Sequence, residues 1–460
     1  MTTPQNITRI QDQILTFSPE ALAQVEFGWR EVEREFAASR DETTRRIGSV
    51  LQNNPLGLPE VEGIRFGTES GTTTYASLLY ATPADAAAAF DSHMLHPYVY
   101  LRDGTVPGRI LGKAAQALDP AAVGAQITGF GMGAIWAALS VLRSGDHLVA
   151  SDKLFGTTKA RLIDFPNSRG IDVTFVDGRD PTAWQAAIVP GKTKAFFYEP
   201  VANPTGEVTD TPMLAAIAHQ HYILVIADSS ATPLGEFLAQ GADVVVPSLT
   251  KFVGLGDSSG GAVLVAQSAL DILGRQRPEI DLTKHNPFLD AVSPNGWNQS
   301  PEVSFKQLGR IAIAPVRHRR QIDNARLLAN WLNANYDIPV LSAALTHPEN
   351  KPLHSQIFAI DFGDQAKASA FADSLGARVV NNFGGAVTSL TIPRSTTHKA
   401  LSSKQLDAQG IGEGLVRISV GIEDVGYLKR EFAAALKSAG VPRRRVAEQD
   451  PRYSALVIGG

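Results

Sequence analysis

Short apolar runs alternate with helix-compatible stretches through the middle of the chain, and this alternation restricts the possible folds more than any other feature. The runs occupy residues 124–129, 172–177, 194–198, 222–228 and 243–248. They are almost continuously apolar, which is typical of parallel strands buried on both faces. We therefore predict an α/β domain in which helices cover a mostly parallel sheet.

The regions on either side of this domain differ from it in composition. The first hundred residues are charged and then interrupted by proline and glycine, whereas a basic helical stretch, residues 316–332, precedes further apolar runs. A chain of 460 residues also exceeds the usual size of one domain. We predict an N-terminal arm and intersubunit segment at residues 1–105, a large cofactor-binding domain at 106–305, and a smaller C-terminal α+β domain at 306–460.

Composition excludes several classes of function. The formal net charge of -4 gives no basis for binding nucleic acid or an anionic membrane. The absence of cysteine excludes disulfides, thiolate metal sites and cysteine nucleophiles, and we predict no metal site. The first ten residues lack the pattern of a secretory signal, and no apolar run reaches the roughly 18–20 residues that span a bilayer. We expect a cytoplasmic protein.

Three polar sites follow predicted strands. The segment TGFGMGAI, residues 128–135, carries alternate glycines into a helix and could close on a compact phosphate, although a tight turn without a ligand is equally compatible. Its spacing does not match a dinucleotide fingerprint. Asp228 ends a buried run, where it could bind a ligand or cap a turn. Lys251 ends the next run and could be a surface charge or a cofactor lysine.

Taken together, the three sites match the binding of a single cofactor. A lysine can carry pyridoxal 5′-phosphate (PLP) as a Schiff base, and a carboxylate beside the pyridine nitrogen keeps the ring an effective electron sink. An anion loop, an acid and a lysine on successive strand ends are therefore far more specific than any one of them.

The chain resembles the Cys/Met metabolism, or trans-sulfuration, family of fold type I PLP enzymes from about residue 98 to about residue 428. That family includes cystathionine γ-synthase, the cystathionine lyases, methionine γ-lyase and the O-acylhomoserine sulfhydrylases. The segments that carry the resemblance are EPVANP (199–204), ADSSATP (227–233), GADVVVPSLTK (241–251) and GLVRISVGIED (414–424). The resemblance implies a seven-stranded-type, mostly parallel sheet with a smaller C-terminal α+β domain.

The resemblance also implies a role for each matching residue. Lys251 would be the catalytic Schiff-base lysine, Asp228 the partner of the pyridine nitrogen and Asn203 a donor to the phenolic oxygen. The substrate α-carboxylate would bind Arg417, with Asn382 as a second substrate-binding residue. The other cofactor-binding residues would be Gly131, Met132, Ser248 and Thr250 at the phosphate, and Phe155 on the ring.

The segment YVYLR, residues 98–102, resembles the family's Tyr-x-Arg segment. By that resemblance Tyr100 and Arg102 reach the cofactor phosphate of a neighbouring subunit. The resemblance thus implies a homo-oligomer, a tetramer built as a dimer of dimers, whose active sites each need two chains.

The family usually has a tyrosine where this chain has Phe155. That tyrosine is commonly given a role in proton transfer, particularly in elimination. The segments NNFGG (381–385) and STTH (395–398) favour the sulfhydrylase and synthase branch, and the absent cysteine disfavours methionine γ-lyase. We therefore expect γ-replacement on an O-acylhomoserine. The alternatives are a lyase acting on cystathionine, methionine or homocysteine, a PLP-binding protein that has lost catalysis, and a nucleotide-dependent oxidoreductase.

Overall fold

The computed structural model describes residues 100–444, apart from 234, 351 and 352, together with the isolated positions 30 and 87. Most of the predicted N-terminal arm and the last part of the chain lie outside these residues. In the described part, no helix is long and apolar enough to cross a membrane.

A seven-stranded sheet, the large sheet, forms the first half of the structure in the order β1-β7-β6-β5-β4-β2-β3. Its strands pair in parallel, except that β7 runs antiparallel to β1 and β6. The predicted α/β fold with a mostly parallel sheet is confirmed. The strands are β1 Ala122–Thr128, β2 His147–Ser151, β3 Asp172–Val176, β4 Thr193–Tyr198, β5 Leu224–Ala227, β6 Val244–Val245 and β7 Gly261–Ala266.

Successive side chains of the central strands point to opposite faces of the large sheet, and both faces are buried. Phe196 and Val225 pack into one hydrophobic cluster, whereas their neighbours Phe197 and Ile226 pack into another. A strand with one exposed face carries polar residues at alternate positions. Because both faces are buried here, the central runs are continuously apolar.

Helices cover the large sheet and continue into the second half of the chain. The first eight are α1 Val106–Gln116, α2 Gly131–Leu139, α3 Gly156–Ile163, α4 Phe165–Arg169, α5 Pro181–Ala186, α6 Thr211–Ala218, α7 Leu249–Phe252 and α8 Gln267–Gln276. The others are α9 Pro287–Asp290, α10 Pro301–Ile311, α11 Ala314–Asn335, α12 Ala343–Thr346, α13 Gln365–Ser374, α14 Ser403–Ala408 and α15 Val425–Ser438. Two 3₁₀ turns lie at His219–His221 and Pro393–Ser395.

A five-stranded sheet, the small sheet, follows α11 and has the order β10-β11-β12-β9-β8. Its core joins apolar residues of α11, α13 and α15 to those of β9 and β12. The two sheets agree with a large and a small domain, but the boundaries at 105 and 305 stay predictions. The strands are β8 Val340–Leu341, β9 Ile357–Asp361, β10 Arg378–Val379, β11 Ser389–Thr391 and β12 Leu415–Ser419.

The apolar run at residues 243–248 forms a shorter strand than its composition suggests. Only Val244 and Val245 pair as β6, and Pro247, which has no N–H for a ladder, precedes α7. The strand therefore gives way to the short helix that carries Lys251. This early end places the lysine beyond the edge of the large sheet.

Candidate functional site

A cavity of about 330 Å³ lies beyond the ends of β4, β5 and β6. Open α/β sheets bind ligands at this place, outside the carboxyl ends of the strands. Most of the residues predicted for the site line this cavity. They are Gly131, Met132, Phe155, Asn203, Asp228, Ser248, Thr250, Lys251 and Arg417.

Lys251 lies on α7, and its amine is largely buried. Its Nζ donates a hydrogen bond to Asn382 Oδ1 and lies 4.7 Å from the ring centroid of Phe383. Burial, together with the nearby positive charge of Arg417, lowers the pKa of the Lys251 amine to about 8, and Asp228 opposes this change. A substantial fraction of the amine is therefore neutral near pH 8.

Asp228 directly follows β5, and its carboxylate is buried. Its Oδ1 accepts hydrogen bonds from the backbone N–H and the hydroxyl of Ser230, at 3.0 and 2.6 Å. Burial raises the pKa of Asp228, whereas the Ser230 bonds and the charge of Lys251 oppose that rise. A cationic ring nitrogen beside this carboxylate would favour its charged form.

Ser230 was not singled out by the sequence analysis, but it connects two parts of the site. Its hydroxyl oxygen accepts from the backbone N–H of Ser248 at 2.9 Å while it donates to Asp228. Ser230 therefore fixes the acid relative to the loop that leads to Lys251. The sequence motif ADSSATP contains this serine but gives no sign of its partner.

Glu199 was also missed as a site residue, although it stands in the motif EPVANP. It is buried, and its carboxylate accepts hydrogen bonds from the backbone N–H groups of Phe155 at 2.6 Å and Asn203 at 3.1 Å. Burial and the nearby Asp228 raise the pKa of Glu199 well above its usual value. This carboxyl group holds two walls of the cavity at a fixed separation.

The start of α2 provides hydrogen-bond donors to the cavity. The N–H groups of Gly131 and Met132, at the start of α2, have no acceptor within the helix, whereas that of Gly133 donates to the carbonyl oxygen of Phe130 at 3.0 Å. Ser248 and Thr250 face the same space, and a Cβ at position 131 would lie 2.9 Å from Ser248 Cβ and Oγ. Only glycine allows this close approach of the helix to Ser248. The arrangement suits a compact anion.

Arg417 reaches the cavity from β12 of the small sheet. Its Nη2 donates to the carbonyl oxygen of Asn382 at 2.6 Å, and its Nη1 donates to Asn203 Oδ1 at 3.5 Å. Its buried Nε has no hydrogen-bond partner within the described part of the chain. Burial lowers the pKa of Arg417 to about 10, so the group stays cationic at neutral pH. The guanidinium can therefore bind a carboxylate.

Asn382 has a different environment from the one expected of a substrate-binding residue. Its Oδ1 accepts from Lys251, and its Nδ2 donates to the carbonyl oxygen of Gly256 at 3.3 Å. The neighbouring Asn381 lines the cavity instead. The segment identified from the sequence thus adjoins the cavity, and substrate binding by Asn382 stays a prediction.

Tyr100 and Arg102 lie outside the cavity that the described chain forms. Tyr100 is 42% exposed, and the Arg102 guanidinium lies 5.2 Å from its ring centroid. Arg102 also forms an ion pair with Asp103 at 3.6 Å. Both side chains are accessible, which agrees with the expectation that they serve a neighbouring subunit; that role stays a prediction.

The cavity has the donor and acceptor groups that PLP requires. A buried carboxylate, an amine of lowered pKa and a helix N-terminus with two hydroxyls match the pyridine nitrogen, the aldehyde and the phosphate of that cofactor. Phe155 supplies an apolar surface for the ring. The residues present therefore fit PLP.

Comparison with known proteins agrees with this geometry. A family model described as Cys/Met metabolism PLP-dependent enzyme matches residues 67–437. The chain is 32% identical to an O-succinylhomoserine sulfhydrylase of Pseudomonas aeruginosa, over 79% of this chain and 89% of the relative. It is 30% identical to a cystathionine β-lyase of Staphylococcus haemolyticus, over 67% of this chain and 77% of the relative.

A solved structure supports the fold. A candidate O-acetylhomoserine (thiol)-lyase from Campylobacter jejuni, which carries a pyridoxyl-lysine 5′-monophosphate, superimposes with a TM-score of 0.74 at 24% identity. The match covers 86% of this chain and 99% of that protein.

Proposed function

The chain belongs to the Cys/Met metabolism family of PLP-dependent enzymes, and from this premise we propose that it catalyses γ-replacement on an O-acylhomoserine. In the overall reaction the Cγ–O bond breaks, the acyl carboxylate leaves with the electron pair, and a thiol sulfur forms a new bond to Cγ. The thiol proton is released or passes to the carboxylate, so the reaction needs no oxidant or reductant.

The cofactor is PLP, which when bound withdraws electrons from Cα of the amino acid and so makes its proton acidic. Lys251 would hold the cofactor and then, as a neutral amine, accept the Cα proton at Nζ. Its lowered pKa supports this role. Asp228 would keep a proton on the ring nitrogen, and Ser230 orients that carboxylate. Arg417 would bind the α-carboxylate through its planar fork.

The observation that carries replacement rather than elimination is the side chain of Phe155. It lines the cavity where the family usually places a tyrosine, and it has no hydroxyl for proton transfer. Elimination must place a proton on Cγ, whereas replacement places sulfur there and then returns protons to Cβ and Cα; a cavity wall without a hydroxyl supplies no donor for the extra proton at Cγ. The sulfhydrylase of Pseudomonas aeruginosa supports this assignment, as a relative over most of the chain.

Oligomer formation belongs to the same proposal. We propose that two chains complete each site, with Tyr100 and Arg102 directed at the cofactor phosphate of the neighbour, in a tetramer built as a dimer of dimers. The exposure of both side chains supports this arrangement. A mixture of Arg102→Ala and Lys251→Ala chains tests this arrangement. In a hybrid dimer, one site would combine the unchanged Lys251 of the first chain with the unchanged Arg102 of the second, so activity would be recovered.

The proposed reaction is tested by product analysis on the purified protein. O-acetylhomoserine and O-succinylhomoserine are each supplied with and without sulfide, and homocysteine, keto acid and ammonia are measured. We expect homocysteine to form in step with consumption of the ester when sulfide is present. Keto acid and ammonia as the sole products under both conditions would identify a lyase, for which the Staphylococcus haemolyticus relative is the precedent. PLP absorbance that no amino acid alters would indicate lost catalysis.

A further inference from the structure

The ring of Phe383 contacts both cations of the site. Lys251 Nζ lies 4.7 Å from its centroid, and Arg417 Cζ lies 5.2 Å from it. Both distances are within the roughly 6 Å over which a cation is attracted to an aromatic face. The ring is only 6% exposed, so solvent screens these contacts weakly.

The backbone around Phe383 is fixed to the same two residues. Gly384, with a φ of +84°, packs directly on the carbonyl group of Lys251, and a Cβ there would overlap it. Immediately before Phe383 in the sequence, the carbonyl oxygen of Asn382 accepts a hydrogen bond from Arg417 Nη2 at 2.6 Å. Phe383 therefore has little freedom to move relative to either cation.

An aromatic ring suits this position for an electrostatic reason. Lys251 and Arg417 are close enough that the arginine lowers the pKa of the lysine, so their positive charges repel each other. A carboxylate between them would relieve the repulsion, but it would also pair with Arg417 and compete with the substrate carboxylate. The face of Phe383 attracts both cations and leaves the hydrogen-bonding fork of Arg417 available.

We propose that Phe383 is a positioning residue that holds the nitrogen of Lys251 and the guanidinium of Arg417 in one shared geometry. It thereby sets the affinity for the substrate carboxylate and the protonation of the lysine nitrogen together. This inference rests on the roles given to Lys251 and Arg417 under the proposed function.

The test compares Phe383→Leu and Phe383→Met, which lack an aromatic face, with Phe383→Tyr, which keeps it. Two quantities are measured on the holoenzyme by absorbance of the bound cofactor: the pH midpoint of its spectral change, and half-saturation by propionate, a carboxylate with no amino group. Loss of the ring disfavours the cationic form of the nitrogen. We expect a midpoint lower by about 0.4–1.5 pH units and propionate binding weaker by about 2- to 30-fold.

Phe383→Tyr should remain close to wild type in both quantities. Phe371→Leu is the matched control, because Phe371 is also buried, in the small-sheet core, and packs against Phe362 and Phe432 rather than a cation. It should lower the melting temperature without either spectral effect. Wild-type values in both non-aromatic variants, or the same shifts in Phe371→Leu, would overturn the inference while the proposed function stands. A wild-type protein that binds no PLP would overturn both.

Discussion

Phe155 and His398 meet edge to face, with ring centroids 6.1 Å apart and an interplanar angle of 84°. His398 is fully buried, and burial together with Arg417 lowers its pKa to about 4. The imidazole is therefore neutral at pH 7, and Phe155 has no titratable group. Neither ring of this pair offers the hydroxyl that the family's tyrosine would place here.

Phe155→Tyr should convert part of the turnover from replacement to elimination. The new phenol supplies a proton donor and acceptor at the cavity wall, and a positioned acid or base commonly contributes about 100- to 10,000-fold to a proton transfer. We expect release of ammonia and keto acid from the acylhomoserine to rise by about tenfold or more. Phe155→Leu, which changes the ring without adding a hydroxyl, should show no such rise. Equal ammonia release from both variants would contradict the role assigned to the missing hydroxyl.

The pH profile of kcat should rise with pH through the titration of Lys251. The amine must be neutral to accept a proton, and its pKa is lowered from 10.5 to about 8 by burial and by Arg417. A bound substrate carboxylate would offset the charge of Arg417, so the midpoint for the saturated enzyme should not fall below about 8. Stopped assays between pH 6 and 10 measure it. A kcat that declines from pH 6 to 8 would contradict Lys251 as the base.

Arg417→Lys should weaken substrate binding without releasing the cofactor. Lysine keeps the charge but loses the planar fork that binds a carboxylate through two parallel hydrogen bonds. We expect KM for the amino-acid substrate to rise by about 10- to 100-fold, while PLP content measured by absorbance is unchanged. Arg143→Lys, at a surface ion pair with Glu279, serves as the matched control. An unchanged KM would show that another group binds the carboxylate.

Glu423 should make the stability of the fold depend on pH. Its buried carboxyl accepts hydrogen bonds from the backbone and hydroxyl of Thr388, and burial raises its pKa from 4.5 to about 6. The folded state thus binds the proton more tightly than the unfolded state. The associated stabilisation, about 2 kcal/mol, is complete below about pH 4.5 and is lost as pH rises through about 6.

The variant Glu423→Gln removes this dependence because an amide does not titrate. It should match wild type in free energy of unfolding at pH 4 and exceed it by about 2 kcal/mol at pH 8, as measured by urea denaturation. The exposed Glu413→Gln controls for the chemical change. A difference between wild type and Glu423→Gln that is constant with pH would exclude a raised pKa at this position.

The five apolar runs predicted as strands correspond to β1, β3, β4, β5 and β6, and the signal is strongest in β4 and β5, which are buried on both faces; β2 and β7 were not among the runs. Asp228 and Lys251 were identifiable for a related reason: each follows such a strand, and the carboxyl ends of parallel strands share one edge. The early end of β6 agrees with Pro247, which has no N–H for the ladder, whereas the apolar run alone suggests a longer strand.

The supporting residues were harder to predict because their roles depend on partners distant in sequence. Ser230 matters through the N–H of Ser248, and Glu199 through the N–H of Phe155. A buried serine or glutamate has no pattern that reveals such partners. The bond from Lys251 to Asn382 also joins residues distant in sequence, and the role of Asn382 in substrate binding stays a prediction.

The bond from Lys251 to Asn382 crosses from the large sheet to a loop of the small one. Most residues that would hold the cofactor's ring and phosphate therefore belong to the part of the chain with the large sheet. Asn382, which binds the lysine amine, belongs to the part with the small sheet. We expect substitutions in the loop to alter the reactivity of the amine while the cofactor is retained. Under this division, a change of reaction outcome through the loop would not require an intermediate that has lost its coenzyme.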